Sequence, residues 1–84
     1  MYLHLGNGYM IPLKDIVMLA DLESTTQSQK TREFLKTARE EGFVEDLSGG
    51  EPKSFVIANE KVYLSLISTN TLEKRAQEEI SSLS

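Results

Sequence analysis

Asp15-Ile16-Val17-Met18-Leu19-Ala20-Asp21-Leu22 decides the fold, because it carries two periodicities at once. Leu13, Ile16, Val17 and Ala20 form a helical stripe, whereas Ile16-Val17-Met18-Leu19 is a continuous apolar run of the kind a buried strand shows. Pro12 suits the first turn of a helix, so periodicity leaves both readings open. The segment is short and directly follows a hairpin, and these two facts favour a third strand.

The hairpin is read from Tyr2-Leu3-His4-Leu5 and Tyr9-Met10-Ile11, which flank Gly6-Asn7-Gly8. Asn-Gly tolerates the positive φ values of a two-residue β turn. A dinucleotide-binding loop would need a third glycine and a following helix, and neither is present. His4 lies between Leu3 and Leu5, so strand alternation turns it to the face opposite the two leucines and away from any role as general base.

Downstream, Glu23-Ser24-Thr25-Thr26 resembles a linker, and Thr26-Gln27-Ser28-Gln29 matches a capping box that would start the main helix. Phe34, Leu35 and Ala38 supply that helix's apolar face, Arg39 suits its negative end, and Gly42 can take the left-handed conformation that stops it. Phe43 and Val44 lead into a short strand ending near Leu47, expected to pair with strands over 54–58 and 61–67. A second capping box, Asn70-Thr71-Leu72-Glu73, predicts a C-terminal helix over about 71–83, with Leu72, Ala76, Ile80 and Leu83 as its stripe. That helix packs either on its own sheet or on a neighbouring subunit. These elements make one α+β domain over 1–84, β-rich and antiparallel, with one central helix and a C-terminal helix.

A chain of 84 residues buries a small core, and with no cysteine and one histidine it has no disulfide or thiolate-zinc staple. Self-association is then the expected source of added stability. The net charge of −4 argues against a generic binder of nucleic acid or anionic membrane. A symmetric oligomer nevertheless repeats each local cluster of Lys and Arg. The sequence shows no leader pattern and no span-length apolar stretch, so a cytoplasmic, membrane-free protein is expected. Glu40-Glu41 and Glu78-Glu79 are adjacent on helices and point apart, and no nucleophile and base are grouped. The chain therefore reads as a non-enzyme, with no cofactor or metal implied.

The basic candidates fall in two settings. Lys30, Arg32, Lys36 and Arg39 lie on the main helix, where Lys36 and Arg39 share a side and Arg32 sits one turn before Lys36. Lys14, after Pro12-Leu13, and Lys53, in the bend Ser48-Gly49-Gly50-Glu51-Pro52-Lys53-Ser54, lie in predicted loops, where binding groups are commonly displayed. Lys14, Lys53, Arg32 and Lys36 are the candidate DNA-contacting residues.

Tyr2-Leu3-His4-Leu5-Gly6, Lys14-Asp15-Ile16-Val17, Pro52-Lys53-Ser54-Phe55-Val56-Ile57 and Thr71-Leu72-Glu73-Lys74-Arg75-Ala76 come in an order and spacing that resemble the bacterial Rem family, its B-type chains more than its A-type. The resemblance implies a LytTR-like fold and a ring-forming, non-enzymatic regulator of extracellular-matrix (biofilm) genes. A-type members bind DNA and carry paired arginines after the loop glycine, where this chain has Gly50-Glu51-Pro52. Lys53 is the cation left in that loop, and Lys14, beside Asp15, is the basic residue nearest the position of a further A-type arginine. Loss of bidentate donors and gain of a carboxylate weaken phosphate contact there. Two expectations follow: a homo-oligomer that touches DNA weakly through repeated basic loops, or a module that regulates through a protein partner without touching DNA.

Overall fold

A computed structural model describes residues 1–81. Among them run β1 (Tyr2–Gly6), β2 (Tyr9–Pro12), a 3-10 turn (Leu13–Asp15), β3 (Ile16–Asp21), α1 (Leu22–Thr25), α2 (Gln29–Glu40), β4 (Val44–Asp46), β5 (Ser54–Ala58), β6 (Val62–Ser65) and α3 (Thr69–Ser81). The ambiguous segment is a strand. It pairs antiparallel with β5 from Ile16 opposite Ala58 to Asp21 opposite Ser54. It also buries apolar groups on both faces, Leu19 against one core and Ala20 in the other. A double-sided apolar run is what a sheet with both faces covered requires, and that explains the failure of simple alternation.

β1 and β2 form the expected antiparallel hairpin, with Asn7 at φ 54° and Gly8 at φ 73° in its turn. The larger sheet has the order β3-β5-β6-β4. β5 pairs antiparallel with β6, but β4 pairs parallel with β6, Val44 opposite Val62. The expectation that the 44–47 strand pairs with both 54–58 and 61–67 therefore fails. A strand has two hydrogen-bonding edges, and β3 and β6 occupy both edges of β5.

The helix caps also differ from expectation. Asp21 caps an extra short helix, its carboxylate accepting the Ser24 N–H at 2.8 Å, where the sequence reads as linker. The Thr26 hydroxyl donates back to the Leu22 carbonyl at 2.6 Å, so it ends α1 instead of starting α2. Helix α2 begins after Ser28, without a side-chain cap. For α3 the cap is Ser68, whose Oγ accepts the Thr71 N–H at 3.3 Å, two residues ahead of the predicted box. Leu83 lies outside the described residues.

The sheet is the middle layer. On one face the hairpin and α3 meet it through Leu3, Leu5, Ile11, Val56, Tyr63 and Leu72. Helix α3 thus packs on its own chain, with Leu72 buried, Ala76 half-buried and Ile80 exposed. On the other face α2 sets Ala38 and Leu35 against Ala20, Phe55, Val62 and Leu64. Phe34, predicted for the same stripe, is displaced from this core and remains exposed. Two buried serines join the layers. The Ser65 hydroxyl donates to the Leu5 carbonyl at 2.6 Å and accepts the Ile67 N–H at 3.0 Å, and the Ser54 hydroxyl donates to the Ile67 carbonyl at 2.8 Å.

Candidate functional site

Helix α2 places Arg32, Lys36 and Arg39 at i, i+4 and i+7, and about 100° per residue gathers such positions on one side. In the structure the three line one groove with Leu22, Thr26, Leu35 and Glu40. The neighbouring turn builds its far wall, because α1 closes just before α2 starts. The Arg32 guanidinium donates to the Thr26 carbonyl at 2.5 Å, which fixes it across the α1–α2 junction. Lys36 is exposed and has no ion-pair partner among the described residues. Arg39 belongs to the same cluster, although the candidates drawn from the sequence stop at Arg32 and Lys36 for the helix contribution. Its i+7 spacing from Arg32 is the signal that finds it.

The bend between β4 and β5 is held from its start. The Asp46 Oδ1 accepts both the Ser48 N–H at 2.8 Å and the Ser48 hydroxyl at 2.5 Å, and the Ser48 Oγ accepts the Gly50 N–H at 3.2 Å. The two bonds from Ser48 to Asp46, hydroxyl first, hold the Asp46 carboxyl below its ordinary value, and the Arg39 charge adds a smaller pull. At the other end of the bend the Lys53 backbone is pinned on both sides. Its N–H donates to the Ser65 carbonyl at 2.8 Å, and its carbonyl accepts the Leu22 N–H at 3.0 Å. Leu22 is also part of the groove, so the Lys53 loop abuts the α2 cluster. Glu51 and Lys53 are both exposed on that loop.

Three of the four candidate cations, Arg32, Lys36 and Lys53, thus come from elements that meet at one end of the sheet. Lys14 does not join them. It precedes Ile16, which pairs with Ala58, whereas Lys53 precedes Ser54, which pairs with Asp21 at the opposite end of β3. The length of β3 and its flanking residues separates the two lysine backbones by roughly 20 Å.

A family model described as RemA-like, extracellular matrix regulatory protein A-like, matches residues 2–76. The chain belongs to this family. It is also similar to the extracellular matrix regulatory protein B of Bacillus subtilis (strain 168), at 38% identity over 77 residues that cover 92% of this chain and 91% of that one. The RemA-like match takes in the hairpin, the whole sheet, α2 and α3 as far as Ala76. Both names are those of regulators, and membership places the chain among regulatory proteins.

Tyr63 is buried and its hydroxyl faces that of Tyr9 at 3.5 Å; burial first, then this contact, push its pKa up to about 12. Among the described residues no three His, Cys, Asp or Glu side chains gather to hold a metal, and no helix is long and apolar enough to cross a membrane.

Proposed function

We propose that this RemA-like chain is a non-enzymatic, cytoplasmic regulator of extracellular-matrix (biofilm) genes, a LytTR-like domain that works as a homo-oligomeric ring and holds DNA by its phosphates. The observation that carries this is the convergence of Arg32, Lys36 and Arg39 in one groove beside the Lys53 loop. Phosphate contacts need cations on a shared surface, and an oligomer multiplies a patch of three or four into a continuous track despite an acidic total. Arg32, already fixed by its bond to Thr26, positions the backbone of the DNA, and Lys36, unpaired, neutralises it. Glu51 opposes phosphate in the loop, so the helix carries most of the contact and binding is modest at moderate salt.

A second reading is regulation through a protein partner. It is favoured by an apolar groove on the α2 side, lined by Phe34, Ala38, Phe43, Ile57 and Val62. Exposed aromatic residues of this kind are enriched where proteins meet. The two readings separate in one experiment, a titration of a regulatory DNA fragment with the assembled protein at low and moderate salt. Salt-dependent binding that Lys36→Glu weakens supports the DNA reading. Absence of such binding by the oligomer leaves the protein-partner reading.

A further inference from the structure

The hairpin, the 3-10 turn and the β5–β6 turn meet around a cavity of about 360 Å³, at the end of β3 opposite the Lys53 loop. Its size falls within the roughly 300–1,000 Å³ of small-molecule sites. Tyr9 from β2, Tyr63 from β6, Asp15 from the 3-10 turn, and Asn59 and Glu60 from the β5–β6 turn all line it. It shares no lining residue with the α2 groove, so what it holds is independent of the DNA reading.

Specific bonds assemble this wall from distant parts of the chain. The Asn59 N–H donates to the Asp15 carbonyl at 3.0 Å, and the Asn59 side-chain amide donates to the Asp15 Oδ1 at 3.2 Å. Among the described residues no other group donates to that carboxylate, which has room for several more donors. The Tyr9 and Tyr63 hydroxyls face each other at 3.5 Å, with ring centroids 5.2 Å apart and the rings tilted by 45°. Only one of the two can donate to the other, so both oxygens keep lone pairs for a third group. Tyr63 is 8% exposed, which makes its phenol a fixed part of the wall.

The charge around the cavity has one sign. Asp15 and Glu60 are carboxylates, and no Lys, Arg or His is among the described residues that line it. The cations next to them in sequence are engaged elsewhere. Lys61 pairs with Glu45 at 3.5 Å, and Lys14 lines a different cavity with Met1 and Tyr2. After burial and the Tyr9 contact, the charges of Glu45 and Glu60 add to the rise in the Tyr63 pKa, so the carboxylate field reaches the phenols.

We propose that this cavity binds a guanidinium group carried on a short alkyl chain. Such a cation is planar, donates to carboxylates in pairs and stacks on aromatic faces. It is also more weakly hydrated than an ammonium, so it loses less on entering a site walled by two phenol rings and Pro12. Asp15 and Glu60 supply the counter-charge, and the Tyr9 and Tyr63 oxygens accept the N–H groups left over.

The test is a titration of the full chain, followed by amide chemical shifts, with n-butylguanidinium and n-butylammonium at matched ionic strength. A third arm uses the peptide acetyl-Gly-Arg-Gly-amide. Saturable shifts centred on Tyr9, Asp15, Asn59 and Tyr63 are expected with butylguanidinium, and binding of butylammonium should be about tenfold weaker. Asp15→Asn keeps an acceptor for Asn59 and should weaken butylguanidinium about tenfold, as should Glu60→Gln on its exposed turn. Tighter binding of the peptide would assign the group to an arginine side chain of a partner, and tighter binding of butylguanidinium to a free small molecule. Absence of saturable shifts with either guanidinium probe overturns the proposal. So does equal binding of butylammonium, or affinity unchanged in both carboxylate variants.

Discussion

On the side of the sheet that carries the hairpin and α3, Leu3, Leu5, Val56 and Leu72 are all but fully buried, and the two inward serine hydroxyls are hydrogen-bonded. On the α2 side Ala38, Phe55 and Leu64 are buried as well, yet Met18, Phe34 and Phe43 around them stay about half-exposed, next to a groove of three cations. A domain this small has little apolar surface to leave uncovered. The difference separates a sealed hairpin side, which holds the fold, from an open α2 side, the face on which the proposed function rests.

Substitutions that break the sealed side should show the largest effects on stability. Leu72→Ala removes the α3 anchor from beneath the hairpin and is expected to cost about 2–5 kcal/mol in urea unfolding. Ser65→Ala leaves the Leu5 carbonyl and the Ile67 N–H without their partner in a buried place, at about 1–3 kcal/mol by the same measurement. The Tyr63 pKa, raised from 10.0 to about 12, sharpens the comparison through pH. The folded state holds the phenolic proton more tightly than the unfolded state, so this contribution is complete below pH 10 and is lost as pH rises through 12. Thermal melts across that window should fall more steeply for the wild type than for Tyr63→Phe. The smallest stability change is expected on the open side. Phe34→Ser should shift unfolding by no more than about 0.5 kcal/mol. A large loss there would mean that Phe34 belongs to the core after all and that the two sides do not differ.

What was legible in the sequence was what short-range chemistry specifies. Asn7-Gly8 required a positive-φ turn, Gly42 stopped α2 at φ 80°, and the spacing of Arg32, Lys36 and Arg39 placed them together. The caps were not legible, because Ser24, Thr25, Thr26 and Ser28 are all competent hydroxyls within five positions and Asp21 doubles as a strand end. The choice among them is made by where β3 must stop to stay paired with β5. The parallel β4–β6 contact was hidden for a related reason: it depends on β3, distant in sequence, having occupied the other edge of β5. In the candidate site, the approach of Lys53 to the helix groove runs through one backbone bond to Leu22, and the isolation of Lys14 follows from strand register. Neither is a property of local sequence.

The role of the α2 face stands or falls on the salt dependence of DNA binding by the assembled wild-type protein, measured beside Lys36→Glu. Affinity should fall log-linearly with salt, with a slope of about −0.9 per phosphate contacted, and the variant should show a weaker affinity and a shallower slope while its oligomer is unchanged. Binding by neither protein at low salt, with the oligomer intact, would contradict DNA contact through that face.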